Sequence, residues 1–188
     1  MSDGAAIVGR ELVYDGWYKF WRLAVRMPDG AVVERHLEDH GRAASVLPYD
    51  PARRVATLVS LPRAPVMAAG APPLLETIAG NLHRDPEETA RTEALEEAGL
   101  RLGALEFVAE VWAMPALSTE RLSLFLAPYA AADRIGAGGG LAHEHESVTV
   151  HEVPLAELRR QARSGALPDG KTLILLQALE LRRPELFA

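Results

Sequence analysis

Residues Asp85 to Leu100, DPEETARTEALEEAGL, constrain the chain more tightly than any other stretch. Asp85 is a favourable N-cap, Pro86 suits a first helical position, and Glu88 follows Asp85 at capping-box spacing. The interior is mostly Ala, Glu, Leu and Arg, which are strong helix formers, and Gly99 stands where a left-handed stop belongs. The pattern predicts a helix from Pro86 to Ala98. On it Glu93, Glu96 and Glu97 fall at i, i+3 and i+4, within an arc of roughly 100°. Like charges at this spacing repel by about 0.2–0.5 kcal/mol per pair. The sequence supplies no basic neighbour one turn on, except Arg101 beyond the stop. Such a face is either solvated acidic surface or a collector of hard divalent cations, which take carboxylate oxygens, waters and substrate phosphates.

The context of the helix decides between these. A strand pattern over Leu74–Ala79, then Gly80 and a short loop, lead into it. The stretch TEALEEAGL, Thr92 to Leu100, resembles the signature of the Nudix hydrolases, R-E-apolar-x-E-E-x-G-apolar, with Thr92 in place of the Arg. VLPYDPARRVATLVSLPRAPV (Val46–Val66) resembles the strand–turn–strand of the ADP-ribose pyrophosphatases, and Glu76 with Ala79–Gly80 their E-x-x-A-G lead-in. Pro115 and Ser118-Thr119-Glu120-Arg121 resemble a loop of the same branch. GAGGGLAHEHESVTVHEVPL (Gly136–Leu155) and PDGKTLILLQAL (Pro168–Leu179) are most similar to its bacterial GDP-mannose pyrophosphatases. The resemblance runs from about Ala44 to Leu179. It implies an α/β fold, the Nudix α/β/α sandwich with a mixed central sheet, here with an N-terminal β-hairpin extension. Residues 1–42 form the N-terminal β region and 43–188 the Nudix domain; in this branch the β region pairs two subunits, so a homodimer is expected.

Composition agrees. The chain has 188 residues, 48% hydrophobic content and no cysteine, which suits a packed domain without disulfides or thiol chemistry. The opening residues show no basic segment followed by an apolar core, and no apolar run is long enough to span a bilayer, so a cytoplasmic protein without membrane attachment is expected. Net charge is −6, with no basic, aromatic-interleaved patch for nucleic acid. An acidic chain handling a polyanion needs local positive charge, and bound cations provide it.

Trp17–Met27 and Ala31–Leu37 read as strands around a Pro28-Asp29-Gly30 turn. Strands are expected near Ala44–Pro48, Val55–Leu61, Leu105–Trp112, Leu122–Ala127 and Ser147–Val153, and helices near Leu155–Arg163 and Lys171–Leu181. Pro62–Pro73, with prolines at 62, 65, 72 and 73, reads as a loop.

The resemblance also implies roles. Glu93, Glu97 and the carbonyl of Ala79 would bind Mg²⁺, with Mn²⁺ as a substitute, and Glu96 would sit beside them as a further catalytic carboxylate. A loop carboxylate, Glu146 or else Glu144, would act as base or further ligand; the alternation after Ser147 favours Glu146. Gly138-Gly139-Gly140 would lend that loop flexibility, and His143 and His145 make it polar without forming a zinc signature. Arg63 would bind phosphate and Glu120 the sugar side, and Lys171 reads as the start of a helix. The substrate is then a nucleoside diphosphate sugar, GDP-mannose first and ADP-ribose second; the alternative is a catalytically weak nucleotide-sugar-binding protein or sensor. The box is also two residues shorter than usual between Gly80 and Glu93, a loss of roughly 7 Å of contour. That removes a loop Glu along with the Arg replaced by Thr92. Because family members pair those two, their joint loss leaves no lone charge. Glu93→Gln and Glu97→Gln are each expected to abolish or strongly weaken saturable Mn²⁺ binding by calorimetry; unchanged binding in the double variant would refute the cation reading.

Overall fold

The computed structural model describes residues 4–82, 85–141 and 147–188. The chain divides into two units, Met1–Arg42 with Val111–Leu122, and Ala43–Glu110 with Ser123–Ala188.

The first unit is built on an antiparallel sheet of β1 (Ala6–Asp15), β2 (Lys19–Arg26) and β3 (Val32–Asp39), in that order. The β2–β3 hairpin forms where expected. The Met27 N–H donates to the Ala31 carbonyl at 2.7 Å, and Gly30 takes φ 87, which only glycine adopts without strain. Strand β1 was not apparent in the sequence. Its register against β2 is broken between Ile7 and Gly9 and again between Leu12 and Tyr14. Each irregularity shifts the inside–outside alternation by one residue, so no period-2 signal survives in AIVGRELVYD. The hairpin is thus two-thirds of a three-stranded sheet. Leu23 is buried, but Ile7, Val8, Val13, Tyr14, Trp17 and Val32 are exposed.

The second unit carries a six-stranded sheet. Its strands are β4 (Arg42–Asp50), β5 (Val55–Ser60), β6 (Ile78–Asn81), β7 (Glu106–Trp112), β8 (Arg121–Pro128) and β9 (Thr149–Pro154). The order is β7-β8-β4-β5-β9, with β6 also paired to β4. Helices α1 (Ala64–Ala68), α2 (Pro86–Ala98), α3 (Leu155–Ser164) and α4 (Gly170–Arg182) complete this mixed α/β sandwich. Strand β4 is buried at every residue after Arg42, as befits a central strand covered on both faces. The core joins Ala44, Val46, Val59 and Ile78 of the strands, and Leu61 just after β5, to Ala90, Ala94 and Ala98 of α2. These alanines recur every fourth residue, so α2 presents a stripe of methyl groups and lies close to the sheet.

Two expectations change. Pro62–Pro73 is not wholly loop: α1 makes one turn there with Pro65 in its first positions, where a missing N–H costs nothing. The strand expected at Leu74–Ala79 pairs instead over Ile78–Asn81. Before it, Glu76 exchanges both backbone hydrogen bonds with Val59 at 2.8 Å. The segment therefore changes partner from β5 to β4 within two residues, which shortens the ladder.

The β4–β5 turn is held by Asp50, whose Oδ1 accepts the N–H groups of Ala52 and Arg53 at 2.9 and 3.0 Å. Arg53 then reaches Glu152 of β9 through two bonds of 2.9 Å, and Tyr129 and Arg134 each donate to the same carboxylate at 3.1 Å. Hydrogen bonding from Arg53, opposed by burial and reinforced by Tyr129 and Arg134, lowers the Glu152 carboxyl from 4.5 to about 2. A depressed carboxyl stabilises the fold above its ordinary value, and the contribution is lost as pH falls toward the folded value. Glu152→Gln is expected to melt about 2–4 °C lower at neutral pH, a modest loss because the group is partly solvated. Scanning calorimetry from pH 7 to 2 should show the gap to wild type closing between about pH 4.5 and 2; a gap constant with pH would contradict this.

Candidate active site

Helix α2 runs from Pro86 to Ala98, the expected bounds. The Asp85 side chain accepts from the N–H groups of Glu87 and Glu88 at 2.9 and 3.3 Å. Gly99 turns left-handed at φ 64, and the Leu100 N–H donates to the Ala94 carbonyl at 2.9 Å, closing a Schellman-type end.

Because α2 meets the sheet through alanine methyls, the residues beside that stripe reach the backbone of β6. Glu93, next to Ala94, is half-buried, and its carboxylate lies directly on Gly80: a Cβ added at Gly80 would fall inside the carboxyl group. Glycine at this place is a requirement of close approach. Gly80 and Ala79 pair with Ala44 and Ser45 of β4, so the edge that receives Glu93 belongs to the rigid sheet. Glu97, one turn on, is 2% exposed. Its Oε2 has no hydrogen-bond donor among the described residues. Glu96 is half-buried, and Thr92 is exposed.

The end of α2 is closed by residues 136–140. Gly138, Gly139 and Gly140 all have positive φ, at 72°, 114° and 78°. The Gly139 N–H donates to the Glu97 carbonyl at 2.8 Å and the Gly140 N–H to the Glu96 carbonyl at 3.2 Å. A Cβ on Gly138 would overlap the Glu97 carbonyl, and one on Gly99 would overlap the backbone of Gly136. The expectation that these glycines serve flexibility is therefore corrected. They permit left-handed backbone packed against a helix end, and they cap the very residues whose side chains are acidic. Glu144 and Glu146 lie outside the described residues, as do His143 and His145.

Arg63 forms a bidentate pair with Glu76, Nε to Oε1 and Nη2 to Oε2, both at 3.1 Å. Lys171 donates to Glu76 Oε2 at 2.5 Å and to Asp169 Oδ1 at 2.9 Å. Glu76 is 3% exposed. Burial pushes its carboxyl up, but hydrogen bonding from Arg63 and the charge and bond of Lys171 outweigh this and hold it below the ordinary value. Burial likewise opposes the charge on Arg63, while Glu76 first, then Glu97 and Asp169, hold the guanidinium above its ordinary value. The field of Glu97 thus reaches Arg63, and the acidic face is not electrostatically isolated. Lys171 is more than the start of a helix, for it neutralises a buried carboxylate 95 residues away. Sequence reasoning missed this role, although D-G-K-T and E-x-x-A-G were both visible.

Glu120 belongs to the first unit. Its Oε1 is 3.6 Å from His40 Nε2, while His40 Nδ1 is 2.7 Å from Glu38 Oε1 and the imidazole stacks on Tyr18. Among the described residues no group of three or more His, Cys, Asp or Glu side chains is arranged to hold a metal ion.

No family model matches the chain. A GDP-mannose pyrophosphatase of Cronobacter sakazakii is 40% identical over 159 residues, 82% of each chain. One from Pectobacterium atrosepticum is 34% identical over 189 residues, 97% of each chain. Among solved structures, an ADP compounds hydrolase superposes with a TM-score of 0.73 at 14% identity, over 95% of this chain and 96% of the other, which supports the fold. With curated relatives at this identity spanning most of its length, the chain belongs to the Nudix hydrolases, in the branch of the GDP-mannose pyrophosphatases.

Proposed function

We propose that this chain is a divalent-cation-dependent pyrophosphatase of nucleoside diphosphate sugars, acting in the cytoplasm as a homodimer, with GDP-mannose its first substrate and ADP-ribose its second. The observation that carries the reading is the Glu93 carboxylate seated on Gly80 at the sheet edge, with the buried Glu97 one turn along the same helix. These residues fit a hard cation. The donors are all oxygens, and Gly80 lets the Glu93 carboxylate lie against the backbone beside the Ala79 carbonyl. Glu93, Glu97 and the Ala79 carbonyl would hold Mg²⁺, or Mn²⁺ in its place, and the ion would supply neutralising charge and a more acidic bound water.

The chain's own groups do the rest. Glu76 occupies Nε and Nη2 of Arg63, which leaves Nη1 for a phosphate oxygen, and the Arg63 side chain is 40% exposed. Glu96 stands one turn after Thr92 at the half-buried margin of the same face. Glu146 is the proposed general base or additional ligand, with Glu144 as its alternate. Water attacks one phosphorus, the bond to the bridging oxygen breaks, and a nucleoside monophosphate and a sugar phosphate leave.

A panel of nucleoside diphosphate sugars assayed with Mg²⁺ and Mn²⁺ tests the substrate, and hydrolysis of GDP-mannose above the others is expected. Binding of a nucleotide sugar without hydrolysis would establish the sensor reading instead. Glu146→Gln is expected to lower kcat by about a hundredfold or more with little change in affinity, the size of a general-base contribution. Glu144→Gln is the control; if it is the crippled variant, the two residues exchange roles, and if neither slows hydrolysis the loop carboxylate is not catalytic.

The dimer rests on the first unit's sheet, where Trp17 is 84% exposed alongside Ile7, Val8, Val13, Tyr14 and Val32. Clustered apolar side chains on a small sheet favour a partner over water. Removal of residues through Glu38 should give an insoluble or monomeric product of low activity by light scattering and assay; a soluble, fully active monomer would refute the dimer.

A further inference from the structure

One group of buried polar side chains is used neither by the proposed chemistry nor by ordinary helix capping. Asp169 caps α4, its Oδ2 accepting the Thr172 N–H at 3.0 Å. That satisfies the helix end, yet the bonding continues. The Thr172 hydroxyl donates to Asp169 Oδ2 at 2.5 Å and accepts the Thr77 N–H at 2.7 Å. The Thr77 hydroxyl lies 2.9 Å from Ser45 Oγ, and Ser45 Oγ donates to the Ile78 carbonyl at 2.9 Å. With the Ser45 proton committed to Ile78, Thr77 is the donor in its pair, and the Thr172 hydroxyl also lies 3.4 Å from that of Thr77. Ser45, Thr77 and Thr172 are at most 1% exposed. An apolar side chain at 172 would leave the buried Thr77 N–H without its acceptor, whereas the polar network satisfies it and restricts the joint to few arrangements.

That arrangement fixes the approach to β6. The relay starts at the N-terminus of α4 and ends on Ile78, immediately before Ala79 and Gly80. We propose that Thr172 is a positioning residue for the cation site: through Thr77 and Ser45 it sets the Thr77–Gly80 backbone so that the Ala79 carbonyl and the Glu93 carboxylate face a common point. This rests on the reading of Ala79, Glu93 and Glu97 as cation ligands. At its other end the relay shares Asp169 with Lys171, and Lys171 shares Glu76 with Arg63. Residues on the phosphate side and on the cation side of the site are therefore registered by one buried chain of bonds. Loss of groups bonded directly to metal ligands weakens metal affinity by about 10–100-fold, and a relay that acts through three bonds is expected at the lower end of that range.

The test measures Mn²⁺ binding to the purified chain by calorimetry, with no substrate present. Thr172→Val keeps the shape and removes the hydroxyl's bonds to Thr77 and Asp169; Thr172→Ser keeps them. Binding weakened by about tenfold or more in Thr172→Val and restored in Thr172→Ser is expected. A Thr172→Val chain that melts at lower temperature yet binds Mn²⁺ as wild type does would show a merely structural hydroxyl and overturn the inference. Ser45→Ala cuts the relay at its far end and decides the matter if Thr172→Val does not fold: weakened binding supports the proposal, and unchanged binding overturns it. If the wild-type chain shows no saturable Mn²⁺ binding, the cation reading itself falls and takes this inference with it. Wild-type binding lost in Glu93→Gln but kept in both relay variants sinks the inference alone.

Discussion

The structure depends on how closely α2 approaches β6. Helix pairs and helix–sheet pairs are ordinarily held apart by Leu, Ile or Phe. Here the contact residues are Ala90, Ala94 and Ala98. Burying methyl groups yields less hydrophobic free energy than burying larger side chains, in proportion to area. The chain recovers that elsewhere, in the leucines of α4 and of β4–β5. The thin contact brings Glu93 down to the backbone of β6, and only glycine at position 80 admits it. A larger residue at 94 or any side chain at 80 would lift the carboxylate off the sheet edge.

The electrostatics follow from the same closeness. Glu76 and Glu97 are both almost fully buried, in a chain of net charge −6. Two buried carboxylates would be ruinous to folding unless compensated. Glu76 is compensated within the protein by Arg63 and Lys171, so firmly that its carboxyl stays below its ordinary value despite burial. Glu97 makes itself felt at Arg63 but only as a secondary influence after Glu76. The two carboxylates thus differ in setting: Glu76 is locked to Arg63 and Lys171, while Glu97 sits buried at the end of α2 under the backbone of residues 138–140.

Legibility in the sequence tracked the range of the interactions involved. The bounds of α2 were readable because Asp85, Pro86 and Gly99 act within four residues of themselves. The β2–β3 hairpin was readable from Pro28-Asp29-Gly30 and an unbroken alternation. Strand β1 was not, because two register shifts erase its period. The partner switch at Glu76 and the pairing of Lys171 with Glu76 join residues far apart in the chain, and no local pattern announces them. The burial of Glu97 against the milder exposure of Glu93 and Glu96 was also hidden, since the three share one helical arc and differ only in what packs beside them.

Glycine is the case in which reading the residue type alone misleads most. A run of three glycines suggests freedom, because glycine loses the most conformational entropy on ordering and resists it. The same property makes glycine the residue that can follow a left-handed path against another backbone. Residues 138–140 take that second use: their positive φ values turn two N–H groups onto the Glu96 and Glu97 carbonyls, and Gly138 has no room for a Cβ. Gly80, Gly99 and Gly138 then share one logic. Each marks a place where two backbones, or a backbone and a carboxylate, come closer than a methyl group allows, and all three places border the acidic end of α2. The fold thus places the residues most costly to order around that end, where Glu97 is buried and Glu93 and Glu96 are half-buried.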